Sequence, residues 1–351
     1  PIDYLTTQRL LLAKQLLTDT ALPVTQVALA SGFGSVRRFN AVFAERYRMN
    51  PGALRQGRPA KGGAALDPVV LRLAYRPPYD VAGVLRFLAQ RCIPGVESVE
   101  GPVFRRTLAL PHQGQAVAGW VTTRFVHGRD EVDVCVAPPL APLLGTLLGR
   151  LRQGLDLDAD PSLIDPALHD LPGAAGTRLP GTLDGFEAAV RIILGQQVTV
   201  GAARTLVRRL VDRFGLPVET PFADLNRLFP SPQALAQASD DAIGQLGIVR
   251  QRIGAIKALA RAVLDGRIDL SRGAPLQATL DALRALPGIG AWTVQLVAMR
   301  ALAWPDAFPA SDIGVLNALG SRDIPLAEQR AEAWRPWRAY AVIRLWQSLE
   351  S

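Results

Sequence analysis

One aspartate, Asp312, follows a glycine-containing turn that could bind a polyanion. The turn is the segment Leu286-Pro287-Gly288-Ile289-Gly290, which separates two apolar patterns with helical spacing. Pro287 fixes φ for a turn, and the glycines permit positive φ and the close approach of another chain. Amides at the start of the second helix lack intrahelical partners and, together with the helix dipole, attract anions. The spacing therefore predicts a hairpin that contacts a phosphate backbone, with a carboxylate nearby.

Asp312 has a second interpretation, which the residues alone leave open. Ser311 or Asp312 could be the N-cap of a short helix over Ile313 to Leu319, because both residue types are preferred at that position. Tight turns between helices that contain glycine are also common, so the turn by itself is weak evidence for nucleic-acid binding. Only the glycine-containing turn and the nearby carboxylate together indicate nucleic-acid binding.

The hairpin, Trp292 directly after it and Asp312 downstream resemble the helix-hairpin-helix DNA glycosylases. The resemblance implies that Asp312 is the catalytic carboxylate. It also implies a set of residues in contact with the DNA backbone, namely Leu286, Pro287, Gly288, Ile289, Gly290 and Thr293. Hairpin carbonyls are expected to hold a monovalent cation such as Na⁺ or K⁺, with no metal ligand from side chains and no other cofactor.

Further positions match the branch of this family formed by 3-methyladenine DNA glycosylase II, AlkA. Trp292 and Trp346 match its pocket tryptophans, whose electron-rich faces attract a cationic alkylated base. Leu296 stands where that branch has a pocket tyrosine, a departure that bears on lesion preference. Gln197 matches the side chain that is pressed into the duplex, where AlkA has leucine and related glycosylases have glutamine. The alternatives are that the tryptophans pack in a core and that Gln197 satisfies loop backbone.

Composition favours a nucleic-acid partner. The 351 residues carry a net charge of +8, and arginine, which suits bidentate phosphate contacts, supplies nearly all of the basic side chains. Cys92 and Cys135 lie far apart without a CxxC motif, and the 3 histidines show no ligand spacing, which argues against a zinc or iron–sulfur site. With no apolar run of membrane-spanning length and no signal-peptide pattern, the sequence predicts a cytoplasmic, nucleoid-associated bacterial protein.

A helix-turn-helix pattern covers residues 1–57, and its second helix begins after Ser35. Arg37, Arg38 and Asn40 lie on the polar face of that helix, where they could contact a DNA groove. The pattern resembles the C-terminal half of an AraC-type DNA-binding domain, as found in the Ada alkylation-response regulators. Such domains have two helix-turn-helix units, and only the second is present here. The alternative is a folded remnant that adds basic surface only.

The remaining chain divides by pattern. Residues 58–66 are rich in Gly, Ala and Pro and predict a flexible linker, and residues 67–154 mix strand and helix patterns in a way that resembles the AlkA N-terminal domain. Strands are predicted at 69–73, 103–110, 116–126 and 132–137, and helices at 80–91, 140–154, 186–194, 201–214, 230–246 and 250–264. The fold is thus predicted to be mainly α with an α+β domain: a partial AraC-type module, an antiparallel-sheet domain and, over 155–351, an all-α helix-hairpin-helix domain of two subdomains.

The predicted function is that of a DNA-3-methyladenine glycosylase II, which hydrolyses the N-glycosidic bond of alkylated bases flipped from double-stranded DNA. Bifunctional members of the superfamily use a lysine after the hairpin, but this chain has Trp292 there and no lysine from 281 to 351. Monofunctional hydrolysis without strand cleavage, by a monomer, is therefore expected. Two alternatives stay open, an Ada-like transcriptional regulator with an idle glycosylase portion and a helix-hairpin-helix glycosylase for other damaged bases.

Overall fold

The N-terminal module has the predicted helix-turn-helix arrangement. The computed structural model describes residues 2–20, 22–55, 67–271 and 273–349. Its first elements are α1 (Ile2–Asp19), α2 (Val24–Ala30), α3 (Val36–Tyr47) and a 3₁₀ turn (Ala53–Arg55). Ser35 begins α3 by accepting a hydrogen bond from the amide of Arg38 at 3.3 Å. Phe39 and Phe43 are fully buried, whereas Arg37, Arg38 and Asn40 are exposed.

An antiparallel sheet follows, as predicted, with five strands instead of the four that the sequence indicated. The strands are β1 (Val69–Ala74), β2 (Glu97–Glu100), β3 (Val103–His112), β4 (Gln115–Phe125) and β5 (Glu131–Val136), and α4 (Val81–Arg91) connects the first two. Their order across the sheet is β1-β5-β4-β3-β2. Strand β2 was not predicted, because its sequence Glu-Ser-Val-Glu is short and has only one apolar residue. It is placed by pairing with β3, with Val99 opposite Phe104. Predicted linker residues 58–66 lie outside the described part of the chain.

The rest of the described chain is helical. Its elements are a 3₁₀ segment (Pro138–Leu143), α5 (Leu144–Gly154), α6 (Pro161–Ala167), α7 (Gly185–Leu194), α8 (Val200–Phe214), α9 (Pro232–Gln237), α10 (Asp240–Gly244), α11 (Arg250–Leu264), α12 (Leu276–Arg284), α13 (Ala291–Arg300), α14 (Ile313–Ala318), α15 (Ile324–Ala331), a 3₁₀ turn (Glu332–Trp334) and α16 (Arg338–Ser348). The single helix predicted over 230–246 is divided in two, because Ser239 accepts from the amide of Ala242 at 3.2 Å and starts a new helix. None of the described helices is long and apolar enough to cross a bilayer.

Two apolar cores hold these elements together. The helix-turn-helix module and the sheet share one core, in which Leu16 and Phe39 belong to the same cluster as Val134 and Leu144. The second core belongs to the helical region but also includes Phe87 from α4. The two cores therefore do not separate at residues 154 and 155, where the sequence predicted a domain boundary. That boundary stays a prediction. The part of the chain before it contributes side chains to the core of the helical region.

A buried ion-pair network joins the sheet to α7. Arg106 on β3 contacts Glu97 at 3.1 Å and Glu187 at 2.6 Å, and all three side chains are at most 7% exposed. Arg191, one turn after Glu187 on α7, contacts Glu97 at 3.0 Å and also donates to the main-chain carbonyl of Arg91 at the end of α4. Removing one partner of such a network leaves an uncompensated buried charge, which is strongly destabilising. The network therefore fixes α4 and α7, which are two of the elements that border the site described next.

Candidate active site and DNA-contacting groove

A groove with a cavity of about 1180 Å³ collects the residues that the sequence singled out for catalysis, base recognition and insertion into the duplex. Trp292 and Leu296 reach it from α13, Trp346 from α16, and Asp312 from the start of α14. Gln197, in the loop between α7 and α8, lies on its rim with Gly288 and Gly290 of the hairpin. Residues that are far apart in the chain thus line one concave surface, which is the usual setting of a ligand site.

Asp312 is a buried carboxylate of this cavity. Its side chain is only 7% exposed, and its Oδ1 accepts from the amides of Gly314 at 3.0 Å and Val315 at 3.1 Å. These bonds make Asp312 the N-cap of α14, so the capping interpretation describes its backbone contacts correctly. Capping does not account for its remaining partners, because Trp346 Nε1 donates to Oδ1 at 2.9 Å and Trp292 Nε1 donates to Oδ2 at 2.8 Å.

The two indoles are oriented by this carboxylate rather than by packing alone. Both tryptophans are half-buried at the edge of the helical core. Gly314 lets Trp346 approach α14, since a Cβ at that position would come within 2.9 Å of the indole Cδ1. Leu296, one turn after Trp292, is 7% exposed and adds an apolar surface without a polar group. The cavity thus combines aromatic faces and an apolar wall beside the Asp312 carboxylate.

Phe87 and Arg91 of α4 complete the cavity and were not singled out in the sequence. The Phe87 ring lies nearly parallel to Trp346, with 14° between the planes and 6.4 Å between the centroids. The Arg91 guanidinium lies 3.8 Å from the Phe87 centroid, and that of Arg300 lies 4.6 Å from it. Burial, and next the positive charge of Arg91, lower the pKa of Arg300 below its usual value. The α+β region therefore supplies an aromatic wall and a cation to the site.

The hairpin between α12 and α13 has an open backbone surface. Gly288 adopts φ = +76°, a conformation that favours glycine, and Gly290 caps α13 without any side-chain hydrogen bond to the helix amides. Leu286 and Ile289 are buried, whereas Pro287 and Gly290 are exposed. Two apolar residues thus anchor the hairpin while its backbone faces outward, in the arrangement that an anion at a helix start requires.

Thr293 differs from the expectation that its hydroxyl faces the DNA. Thr293 is 2% exposed, and its Oγ1 accepts a hydrogen bond from Gln196 Nε2 at 2.9 Å, behind the hairpin surface. The reason is helical geometry, because a residue three positions after Gly290 on α13 turns toward the loop that follows α7. The Thr293 hydroxyl therefore supports the hairpin from within, through its bond with Gln196.

Gln197 stands at the tip of the loop between α7 and α8. It is exposed and adopts φ = +54°, which is uncommon for a residue with a side chain. Val198 and Val200 beside it are also exposed, and Thr199 caps α8 by accepting from Ala202 at 3.2 Å. The loop therefore projects side chains away from the core instead of using Gln197 to satisfy buried backbone.

Hairpin oxygens suit an alkali cation better than any side-chain cluster does. Within residues 2–20, 22–55, 67–271 and 273–349, no group of three or more His, Cys, Asp or Glu side chains could hold a metal ion. The Leu286 carbonyl accepts from Ile289 at 3.3 Å and that of Gly288 accepts from Gln196 at 2.9 Å. Since a carbonyl has two lone pairs, each retains acceptor capacity, and main-chain oxygens are the hard ligands that such a cation takes.

Comparisons with known proteins cover each part of the chain. Residues 1–57 match the model of a helix-turn-helix domain, residues 70–184 that of the AlkA N-terminal domain, and residues 190–333 that of the HhH-GPD superfamily of base excision DNA repair proteins. A probable bifunctional transcriptional activator/DNA repair enzyme AlkA of Mycobacterium tuberculosis is 38% identical over all of this chain and 72% of its own length. DNA-3-methyladenine glycosylase 2 of Escherichia coli is 32% identical over 78% of this chain and 95% of its own length.

Solved structures share the fold. The 3-methyladenine DNA glycosylase of Archaeoglobus fulgidus superposes with a TM-score of 0.63 at 21% identity, over 79% of this chain and 97% of its own. An 8-oxoguanine glycosylase/lyase of Clostridium acetobutylicum superposes with a TM-score of 0.58 at 12% identity, over 80% of this chain and 95% of its own. Together with the sequence relatives, the fold and the hairpin show that this chain belongs to the AlkA family of helix-hairpin-helix DNA glycosylases, here preceded by an AraC-type helix-turn-helix module.

Proposed function

We propose that this protein is a DNA-3-methyladenine glycosylase, which releases alkylated bases from double-stranded DNA by hydrolysis of the N-glycosidic bond. One observation carries the proposal: the buried Asp312 carboxylate accepts from two indoles inside a cavity that borders an open helix-hairpin-helix turn. The names of the M. tuberculosis and E. coli relatives support the same activity. A cavity with aromatic faces beside a carboxylate is suited to a flat, electron-poor base.

Binding begins at the hairpin, where the amides around Gly288 and Gly290 receive a phosphate. A monovalent cation held by hairpin carbonyls would supply further positive charge to the DNA backbone. Extrusion of a base into the cavity costs a few kcal/mol, and a side chain must fill the gap that it leaves. Gln197 is the residue for this role, because it is exposed at a loop tip on the rim of the cavity.

The extruded base then lies against the indoles of Trp292 and Trp346. An alkylated purine such as 3-methyladenine carries positive charge, which aromatic faces attract when water is excluded. Leu296 leaves this part of the wall without a hydroxyl, so recognition depends on shape and stacking more than on directed hydrogen bonds. Such a pocket favours cationic alkylated bases over neutral lesions, whose discrimination needs polar contacts.

Asp312 stabilises the transition state. Cleavage of a glycosidic bond passes through an oxocarbenium-like state, and a fixed carboxylate in a dry cavity stabilises that positive charge. Within the described residues, Oδ1 accepts three hydrogen bonds and Oδ2 accepts one, from Trp292. An ionised carboxylate has about four acceptor sites. Oδ2 is therefore the atom with capacity for the sugar or for the attacking water, and the leaving base takes the bonding electron pair.

The reaction proposed is monofunctional. Lyase chemistry requires an amine that forms a Schiff base with the sugar, and Trp292 stands at the position after the hairpin where bifunctional enzymes have lysine. Lys257 on α11 is paired with Asp240 at 2.5 Å, outside the cavity. The product is then an abasic site in an intact strand. The exposed Arg37, Arg38 and Asn40 of the helix-turn-helix module are proposed to contact DNA separately, and a monomeric state stays a prediction.

The test is release of free base from N-methylated duplex DNA by the whole chain. The proposal expects 3-methyladenine in the soluble fraction and strand breaks only after heat or alkali. DNA binding without base release would favour the transcriptional regulator instead. Release of 8-oxoguanine or hypoxanthine in preference to 3-methyladenine would favour a helix-hairpin-helix glycosylase for other lesions, and breaks without heat or alkali would contradict monofunctional chemistry.

A further inference from the structure

Gln196 connects the loop at the rim of the cavity to the hairpin. Its Nε2 donates to the carbonyl of Gly288 at 2.9 Å and to Oγ1 of Thr293 at 2.9 Å, so the side chain reaches both the turn and the helix that follows it. Both partners lie more than ninety positions along the chain. Gln196 immediately precedes Gln197, whose φ of +54° turns the loop tip outward. The amide therefore fixes the base of the loop from which Gln197 projects.

A second contact fixes the same residue from another helix. Arg252 on α11 donates to the main-chain carbonyl of Gln196. The hairpin also packs on α11, since a Cβ at Gly288 would lie 3.2 Å from the Cβ of Ala255. Loop, hairpin and α11 thus meet at Gln196, which is held by its side chain on one side and by its backbone on the other.

We infer that Gln196 is a positioning residue that couples the DNA-backbone contact at the hairpin to the insertion of Gln197 into the duplex. This inference rests on the proposed function. When the Gln196 amide makes these hydrogen bonds, a phosphate bound at the hairpin sets the distance and direction at which the loop tip meets the base stack. Without the Gln196 amide, the hairpin still binds the DNA backbone, but Gln197 is no longer held in register with the base stack. Displacements of about 1 Å in such positioning residues lower the reaction rate substantially.

Two features distinguish this role from a contact of Gln196 with the base itself. Both hydrogens of its Nε2 are used by protein acceptors, Gly288 and Thr293, so the amide donor is directed at the hairpin. Extrusion is needed only in a duplex, where the base is stacked and paired. Loss of positioning should therefore affect double-stranded substrate selectively, whereas loss of a contact with the base should affect single-stranded substrate as well.

The experiment compares Gln196→Leu with wild type and with the control Gln237→Leu, an exposed glutamine at the end of α9. Base release is measured on the same N-methylated sequence in single-stranded and duplex form, and affinity for undamaged duplex is measured in parallel. Two neutral hydrogen bonds correspond to about a tenfold effect. The expected result is about a tenfold loss on duplex, less than about twofold on single strands, and little change in affinity for undamaged duplex. Equal losses on both substrates would overturn the inference.

A second measurement does not depend on chemistry. Duplex DNA with 2-aminopurine at the target position reports base extrusion as a rise in fluorescence. Gln196→Leu and Thr293→Val should each reduce that rise, and the double variant should be no worse than Gln196→Leu alone, because both remove the same contact. Additive losses would overturn the inference. If wild type releases no base, the proposed function fails, while the fluorescence comparison still decides whether Gln196 couples hairpin and loop.

Discussion

Trp292 Nε1 donates a 2.8 Å hydrogen bond to Oδ2 of Asp312, across twenty positions of sequence. The aromatic wall that follows the hairpin and the carboxylate that follows α13 are therefore one unit. In the proposed function, a base stacked on this indole lies beside the carboxylate. Recognition and charge stabilisation share the same bond, which explains why a tryptophan directly after the hairpin has chemical value in addition to its apolar area.

Trp292→Phe tests the contribution of that bond. Phenylalanine keeps an aromatic face but cannot donate, so Oδ2 loses its only described partner and the carboxylate is less well oriented. Hydrogen bonds to charged groups contribute about 1.5 to 3 kcal/mol. We expect the single-turnover rate of 3-methyladenine release to fall by about tenfold or more, while affinity for undamaged duplex stays near that of wild type. The matched control is Trp304→Phe, outside the cavity; equal rates in both variants would contradict the assignment.

Asp156→Asn tests a partly buried acid away from the cavity. Burial raises the pKa of Asp156 to about 7. The amide of Leu179 donates to Oδ2 at 2.9 Å, and this hydrogen bond acts to lower the pKa. Between about pH 4 and pH 7, Asp156 therefore holds a proton in the folded protein that it releases in the unfolded chain. The contribution of Asp156 to the free energy of unfolding falls as pH rises through this window and is constant above it. Asparagine accepts the same hydrogen bond and tolerates the φ of +52° at this position.

The expected outcome is a variant that unfolds at about the wild-type temperature at pH 4 and at a higher temperature at pH 8. Thermal unfolding monitored by circular dichroism across this range measures the difference. Asp212→Asn, on the surface of α8 with a side chain 58% exposed, serves as the control and should show no such trend. A difference between Asp156→Asn and wild type that does not change with pH would contradict the shifted acid.

Gly145→Ala tests the junction between the helix-turn-helix module and α5. A Cβ at this position would come within 2.5 Å of the Ala30 carbonyl oxygen at the end of α2, so the module must shift. Overpacking of this kind costs about 1 to 3 kcal/mol. Gly254→Ala on α11 meets nothing within 4 Å and should instead stabilise by helix propensity. Urea unfolding distinguishes the opposite signs, and a stabilised Gly145→Ala would contradict the observed docking.

Sequence patterns predicted the parts of this fold that are locally encoded. The hairpin, the strands with alternating burial such as β1, and the exposed Arg37 and Arg38 all follow from spacing and turn chemistry. Phe87 could not be assigned in this way, because α4 shows only an apolar face, and the nearness of Phe87 to Trp346 arises when distant segments pack. Strand β2 was missed for a related reason, since pairing with β3 stabilises a segment in which only one residue is apolar.

In the site, too, the sequence did not indicate which side chains contact each other. The sequence indicated Asp312, Trp292 and Trp346 separately, but not that both indoles donate to one carboxylate. Gln196 had no signal apart from its position beside Gln197, because its partners become neighbours only when α7 packs against α13. Contacts between residues that are distant in the chain decide what each of these side chains does.

Asp312→Asn is the most direct test of the account. Asparagine keeps the size of the side chain and can accept from the amides of Gly314 and Val315 through Oδ1, so α14 remains capped. It carries no negative charge, and its Nδ2 cannot accept from Trp292. Single-turnover release of 3-methyladenine from N-methylated duplex DNA should fall by at least about a hundredfold, with duplex affinity and unfolding temperature close to wild type. Release at the wild-type rate would show that Asp312 is only a helix cap and would contradict the proposed chemistry.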